Sequence, residues 1–203
     1  MNSFEIIKKV FNKKYLCSEQ VPFVMQEAKP LKGKKVHKII IDSKNTTKKS
    51  KKILEMALYR FDAEEDGVFL PFFENDDNAP KGLSVFPDYI LLVKFEYSGK
   101  VKFNIFMFEL KRTTSEKLHA TKQLQAGKVF LDYVFNTVER IKMDNDGFLD
   151  FDSESIIIHE FVLMAVSSVN KNKSKNKTQY QKNQPIFLET LFDGTFSPIS
   201  YCC

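Results

Sequence analysis

Two apolar, β-rich runs joined by a two-residue link constrain the fold of this chain more than any other feature. Tyr89–Tyr97 and Val101–Phe108 flank Ser98-Gly99, and a short link that tolerates positive φ angles is typical of turns between antiparallel strands. The pattern predicts a β-hairpin. Because the interiors of both runs are almost continuously apolar, we expect the hairpin to lie in a sheet covered on both faces, or nearly so.

The register of this hairpin brings charged residues together at the end opposite the turn. With a two-residue loop at 98–99, Asp88 faces Glu109, and opposed residues on one face of a sheet have Cβ atoms about 4.5–5.5 Å apart. Lys111 points to the same side as Glu109 because side chains alternate along a strand. Opposed like charges destabilise a sheet unless positive charge lies between them. The pattern therefore predicts a divalent cation between the two acids.

These charged residues belong to two short motifs, Pro87-Asp88 and Glu109-Leu110-Lys111. Together the motifs resemble those of the PD-(D/E)xK nuclease superfamily, the restriction-endonuclease-like proteins. The resemblance covers about residues 46–169 and implies an α/β fold in which a mixed central β-sheet is flanked by helices. We expect a single domain over residues 1–203, with an N-terminal helix and the segment 170–203 added to this core.

The resemblance also implies an activity, the metal-dependent hydrolysis of phosphodiester bonds in a nucleic acid, most often DNA. Asp88 and Glu109, with the carbonyl oxygen of Leu110, would hold Mg²⁺ or Mn²⁺, which are hard cations that take oxygen ligands. Lys111 would position or deprotonate the attacking water and offset the charge of the transition state. By analogy we expect an endonuclease rather than an exonuclease, acting in restriction, host defence or a mobile element.

In the resembled superfamily, the helix before the motif hairpin often supplies a further acid to the metal. The run from Thr46 to Phe61 has apolar residues at helical spacing and predicts an amphipathic helix packed on the sheet. Glu55, at the edge of the apolar stripe, is the candidate for this additional metal ligand. Glu64 and Glu65, in the polar turn after the predicted helix, are alternatives.

A second helix is predicted after the motif lysine. Thr113 and Glu116 have the spacing of a capping box, and an apolar stripe extends from Ser115 to Ile141. Gln123 lies beside this stripe in an early turn. It resembles the glutamine that some members of the superfamily place near the metal-bound water or the phosphate, so we count it among the candidate catalytic residues.

The C-terminal third predicts a return to the sheet followed by an appendage. Residues 156–169 are strongly apolar and predict a strand that crosses back into the sheet after the helix. Residues 170–183 are basic and polar, as is typical of a flexible loop or arm. Residues 185–191 regain apolar periodicity and should dock on the domain.

Composition favours a folded, mildly basic protein without a membrane span. The chain is 43% hydrophobic and carries a formal net charge of +5, which is compatible with a nucleic-acid partner. Its three cysteines match no zinc or disulfide pattern. Phe4–Val10 predicts a short amphipathic helix rather than a signal peptide, and no run of about 18 apolar residues is present. We expect a cytoplasmic protein that binds DNA but no membrane, either alone, as a homodimer or with a partner subunit.

Two alternatives to a nuclease stay open at this point. The first is a catalytically inactive domain that keeps the nuclease-like fold and recognises nucleic acid or a protein in a larger complex. The second is a globular interaction protein, for instance a subunit of a larger assembly, in which the motif is coincidental, since Pro-Asp is a common turn dipeptide and Glu-x-Lys is ordinary at a strand end. An exposed apolar patch without a cleft at Asp88 and Glu109 would favour this second alternative.

Overall fold

The computed structural model describes residues 1–20, 22–27, 35–42, 51–61, 86–113, 116–144, 146–166, 185–191 and 193–202. These residues form two α-helices and nine β-strands. The helices are α1 (Ser3–Val10) and α2 (Lys117–Ile141). The strands are β1 (Leu16–Ser18), β2 (Phe23–Gln26), β3 (Lys38–Ile41), β4 (Lys51–Arg60), β5 (Tyr89–Tyr97), β6 (Lys100–Lys111), β7 (Ile157–Val166), β8 (Ile186–Leu191) and β9 (Asp193–Phe196).

The strands form a larger and a smaller sheet. Among the described residues, the larger sheet has six strands in the order β1-β4-β5-β6-β7-β8, and the smaller has three in the order β2-β3-β9. In the larger sheet, the pairs β1–β4, β4–β5 and β5–β6 are antiparallel. Strand β7 runs parallel to β6, and β8 runs parallel to β7. The prediction of an α/β fold with a mixed sheet is therefore confirmed.

The predicted hairpin, β5 and β6, lies at the centre of the larger sheet. Tyr97 lies opposite Lys100, which is the register that a two-residue loop sets. Ser98 and Gly99 have φ angles of 51° and 75°, and positive values at both loop positions match the right-handed twist of the flanking strands. The predicted register is confirmed.

Both faces of the larger sheet are covered, as the continuous apolar runs predicted. On β5, Ile90 and Leu92 pack with the helices, whereas Leu91 and Val93 pack with the smaller sheet. All four side chains are fully buried. Helices therefore cover one face and a second sheet covers the other, where the resemblance implied flanking helices.

The helix predicted over Thr46–Phe61 is wrong. Residues 51–60 are strand β4, which pairs antiparallel with β5, and residues 43–50 lie outside the described part of the chain. Residues 56–59 are all buried because consecutive side chains of β4 enter the two cores alternately. Such a continuous apolar run also satisfies the spacing of an amphipathic helix, and periodicity alone does not separate the two.

The other two predicted helices are present. Helix α1 follows Asn2, whose side-chain oxygen accepts a hydrogen bond from the Glu5 N–H at 3.1 Å. Helix α2 begins at Lys117, and its N-cap residue Glu116 makes no side-chain capping bond. The two residues of the predicted capping box are in direct contact, since the Thr113 hydroxyl donates to the Glu116 carboxylate over 2.8 Å. No helix in the described ranges is long and apolar enough to cross a membrane.

The C-terminal strands continue the larger sheet beyond the hairpin. The strand predicted over residues 156–169 is β7, and α2 connects it to its parallel neighbour β6. The segment predicted to dock on the domain is β8, which adds a further parallel strand. Residues 167–184, which include the predicted arm, lie outside the described residues, as does the 62–85 segment before the hairpin.

Candidate functional site

The predicted site lies at the end of the hairpin opposite its turn, on the sheet face that the helices cover. Asp88 immediately precedes β5, and Glu109 and Lys111 are among the last three residues of β6. Alternation along β6 places Glu109 on the same side as Met107, which packs with the helices. The charged residues therefore lie at the rim of the helix-side core.

The carboxylates of Asp88 and Glu109 are held against each other by backbone hydrogen bonds. The Asp88 N–H donates to Glu109 Oε2 over 3.2 Å, and the Leu110 N–H donates to Asp88 Oδ2 over 2.7 Å. The Glu109 carboxylate thus accepts a hydrogen bond from the backbone of Asp88, and the Asp88 carboxylate accepts one from the backbone of the residue that follows Glu109. The predicted convergence of the two acids is confirmed, and strand geometry fixes their orientation.

Glu109 is more deeply buried than Asp88, which is half-buried. The Glu109 side chain is 1% exposed, and Lys111 Nζ lies 2.6 Å from its Oε1 atom. A buried, ionised carboxylate is stable only when it is paired and hydrogen-bonded. Lys111 supplies the ion pair at Oε1, and the Asp88 N–H supplies the hydrogen bond at Oε2.

Gln123 of α2 connects the site to the helix layer. Lys111 Nζ donates to Gln123 Oε1 over 2.9 Å, and Gln123 Nε2 donates to the Phe86 carbonyl over 3.2 Å. The predicted proximity of Gln123 to the motif is confirmed. Its amide holds the lysine ammonium from one side while Glu109 holds it from the other.

The strand ends that carry the site are anchored on the opposite face of the sheet. The Tyr89 hydroxyl donates to the Gln26 carbonyl over 2.8 Å and accepts a hydrogen bond from the Gln26 N–H over 2.9 Å. Arg112 Nε lies 2.7 Å from both carboxylate oxygens of Glu27. Because Tyr89 and Arg112 directly follow site residues in the chain, these contacts restrain both strand ends.

Glu55, predicted as an additional metal ligand, is not part of this site. On β4 it lies opposite Lys94, and its carboxylate is 2.7 Å from Lys8 Nζ and 3.7 Å from Lys94 Nζ. Lys94 is six residues beyond Asp88 on extended chain, a distance of about 20 Å at about 3.3 Å per residue. The correction follows from the secondary structure, because a strand carries Glu55 away from the motif end of the sheet.

Two carboxylates and one backbone carbonyl are the oxygen donors available at the predicted metal site. Within the described ranges, no group of three or more His, Cys, Asp and Glu side chains could hold a metal ion. Glu64 and Glu65 lie outside those ranges. Mg²⁺ is commonly bound by one or two carboxylates together with waters and substrate phosphates. Asp88, Glu109 and the Leu110 carbonyl therefore fit the donor chemistry of Mg²⁺ or Mn²⁺.

Two residues near the site were not singled out by sequence reasoning. Gly127 of α2 approaches Pro87 and Met107 more closely than a residue with a Cβ atom could. Glu160 lies on β7 opposite Met107; burial raises the pKa of its carboxyl, and the charge of Lys128 opposes that rise. A glycine inside a predicted helix and an acid inside an apolar strand are the signals that mark such positions.

Comparisons with known proteins do not identify a relative of this chain. No match was found among protein-family models, curated proteins or solved structures. The function is therefore inferred from the residues of the site and their geometry.

Proposed function

We propose that this protein is a metal-dependent nuclease that hydrolyses phosphodiester bonds, with DNA as its substrate. One observation carries the proposal. The carboxylates of Asp88 and Glu109 are oriented by hydrogen bonds from backbone N–H groups, and Lys111 pairs with the buried Glu109. These residues occupy the positions of the motif that the sequence resembles. Strand pairing itself gives no reason to place two acids opposite each other.

Asp88, Glu109 and the Leu110 carbonyl would hold Mg²⁺ or Mn²⁺. When bound, such a cation lowers the pKa of a coordinated water and neutralises charge on the phosphate oxygens. The contribution of the chain is orientation, because the Asp88 and Leu110 N–H groups keep the two carboxylates converged. Ligands that are already oriented need little rearrangement when substrate arrives.

Lys111 would act on the phosphodiester rather than serve the fold alone. Its ammonium is fixed between Glu109 Oε1 and Gln123 Oε1. From there it would orient the attacking water and stabilise the negative charge that develops on the phosphate. Gln123 restrains the ammonium through an uncharged acceptor, which orients the lysine without adding a second negative charge beside it.

The charge of the chain supports a nucleic-acid substrate. The formal net charge is +5 and the sequence pI is about 8.9. Lys122 is exposed on the same turn of α2 as Gln123, and the phosphate backbone attracts such cations without regard to sequence. DNA as the substrate and endonucleolytic cleavage are carried over from the resemblance.

A catalytically inactive, nuclease-like binding domain is the second candidate function. It is favoured by one observation, that no third acid joins Asp88 and Glu109 within the described residues. In such a domain the ion pair of Glu109 and Lys111 would be purely structural. Binding of DNA without cleavage under any metal would support this candidate.

The proposal is tested by incubating the purified protein with linear, circular and single-stranded DNA and with RNA, in Mg²⁺, Mn²⁺ or EDTA. We expect cleavage that requires metal and releases fragments from circular DNA. Asp88→Asn and Glu109→Gln should each lower the cleavage rate by about 10³-fold or more, because each removes a charged metal ligand. Glu154→Gln, which changes an exposed acid outside the hairpin, is the matched control.

Circular dichroism of each variant shows whether the loss of cleavage is specific. Both substitutions preserve the shape of the side chain, so the spectra should match that of the parent protein. Metal-dependent cleavage that survives in Asp88→Asn and in Glu109→Gln would refute the proposed site.

A further inference from the structure

Helix α2 meets the motif hairpin at a glycine that leaves no room for a side chain. A Cβ atom added to Gly127 would lie 2.7 Å from Pro87 Cγ, 2.9 Å from Pro87 Cδ and 2.9 Å from Met107 Sδ. Cβ atoms essentially never approach other heavy atoms within 3.0 Å. A side chain at this position would therefore require a shift of its neighbours; the flexible Met107 side chain can move by itself, whereas the Pro87 ring is closed onto the backbone and moves with it.

The helix itself gives no reason for a glycine here. Gly127 lies in the interior of α2, ten residues after its start, where glycine destabilises a helix relative to alanine. The Gly127 backbone is helical, so a left-handed conformation does not explain it either. The close approach to Pro87 is the feature that glycine alone permits.

This contact lies against both halves of the motif. Pro87 immediately precedes Asp88, and Met107 lies two residues before Glu109 on the same face of β6. One turn earlier on α2, Gln123 donates to the Phe86 carbonyl at 3.2 Å. The helix therefore contacts the chain just before Asp88 at two points, the Phe86 carbonyl and the Pro87 ring.

We propose that Gly127 is a positioning residue, which sets the depth at which α2 docks on Pro87 and thereby the separation of Asp88 from Glu109. The inference rests on the proposed function, because the separation matters for a shared metal ion. Ligand distances in metal sites are held within about 0.2 Å, so a displacement of a few tenths of an ångström weakens metal binding. Gln123 would shift with the same movement and loosen its hold on Lys111.

The test is the variant Gly127→Ala, examined by Mn²⁺ titration, steady-state cleavage and thermal unfolding. We expect Mn²⁺ affinity to fall by about tenfold or more and kcat to fall by about tenfold as well, since a misplacement of a full 1 Å costs about 10²-fold. The KM for DNA should change by less than about threefold, because DNA contacts outside the site are kept. Gln125→Ala, at an exposed position of the same helix, should leave all three measurements unchanged.

A second variant separates positioning from a loss of folding. Pro87→Ala removes the ring atoms Cγ and Cδ, the nearest carbon atoms to the added methyl group of Gly127→Ala. The double variant should therefore recover Mn²⁺ affinity to within about threefold of Pro87→Ala alone, which is the signature of coupling between touching residues. This comparison stands even where Gly127→Ala alone is too unstable to assay.

The outcomes distinguish the inference from the proposed function. Unchanged Mn²⁺ affinity and kcat in Gly127→Ala, with an active parent protein, would overturn the positioning role and leave the nuclease proposal intact. A double variant as impaired as Gly127→Ala would overturn it as well. A parent protein that neither binds Mn²⁺ nor cleaves nucleic acid would overturn the proposed function, and the positioning role with it.

Discussion

Two groups of acidic and basic side chains include residues of the larger sheet, and their surroundings differ. The first, beside α1, is the α1 cluster, which consists of Glu5, Lys8, Glu19, Glu55 and Lys94. In this cluster every acid contacts a lysine, since Lys8 bridges two of the acids and Lys94 bridges two. The second is the hairpin site at Asp88, Glu109 and Lys111, where both acids accept hydrogen bonds from the backbone and Lys111 pairs with Glu109.

Exposure to solvent separates the two groups most clearly. Acidic side chains of the α1 cluster are 33–42% exposed, whereas Glu109 is 1% exposed. Solvent screens partly exposed ion pairs, which contribute about 0–1 kcal/mol each. A hydrogen bond from Lys94 lowers the pKa of the Glu5 carboxyl, as expected for a stabilising surface network. Glu109 has lost its hydration, and this loss must be offset by Lys111 and the backbone.

The α1 cluster therefore needs no explanation beyond the stability of the fold. The acids of the hairpin site do. An apolar residue at position 109 would continue the buried run of β6, which includes Met107 and Phe108. A carboxylate in that place needs another purpose. The proposed purpose is to bind a divalent cation together with Asp88.

Among the variants of the two groups, Lys111→Met should have the largest effect on cleavage. Removing a cation aimed at the reacting phosphate typically lowers kcat by about 10²–10³-fold. Mn²⁺ affinity should stay equal or increase, because the ammonium no longer competes for the Glu109 carboxylate. Single-turnover cleavage and Mn²⁺ titration measure the two effects separately. Weaker DNA binding with unchanged turnover would contradict the assigned role.

Neutralising an ion pair in each group should change stability in opposite directions. In the hairpin site, Glu109→Gln with Lys111→Met removes buried charge and keeps an acceptor for the Asp88 N–H. We expect the free energy of unfolding, measured in urea with EDTA, to rise by about 1–3 kcal/mol. In the α1 cluster, Glu55→Gln with Lys94→Met should lower it by about 1 kcal/mol. If both double variants changed the free energy of unfolding in the same direction, the proposed difference between the two groups would be wrong.

The smallest effect is expected for Glu55→Gln alone. This acid is partly exposed and lies beside Lys8 and Lys94, so its loss should lower the free energy of unfolding by no more than about 1 kcal/mol. Metal-dependent cleavage should be unchanged within about twofold, a difference too small to reflect a lost metal ligand. A cleavage rate lower by about 10-fold or more, which is the effect of losing a residue that supports a metal ligand, would show that Glu55 does take part in the metal site.

The hairpin site could be predicted from sequence because local rules fix it. A two-residue loop sets the register of β5 and β6, and alternation along the strands then sets the side of the sheet on which Asp88, Glu109 and Lys111 lie. The helical period of α2 placed Gln123 beside the apolar stripe, and the resemblance made it a candidate for the site. These predictions need no knowledge of contacts between distant parts of the chain.

The errors came from features that tertiary contacts decide. β4 looked helical because a strand buried on both faces is as continuously apolar as a core helix, and Glu55 was misplaced with it. The smaller sheet joins β2 and β3 to β9 from the far end of the chain, a pairing without a local signal. The fit of Gly127 against Pro87 likewise depends on how α2 docks.

A Mn²⁺ titration followed by electron paramagnetic resonance, without any nucleic acid, tests directly whether Asp88 and Glu109 bind a metal ion. The parent protein and Glu55→Gln should bind Mn²⁺ with the same affinity, and Glu109→Gln should bind at least about tenfold more weakly. That result would assign the cation to the hairpin site rather than to the α1 cluster. Equal affinity in Glu109→Gln and the parent protein, or no binding by either, would contradict the claim that Asp88 and Glu109 form a metal site.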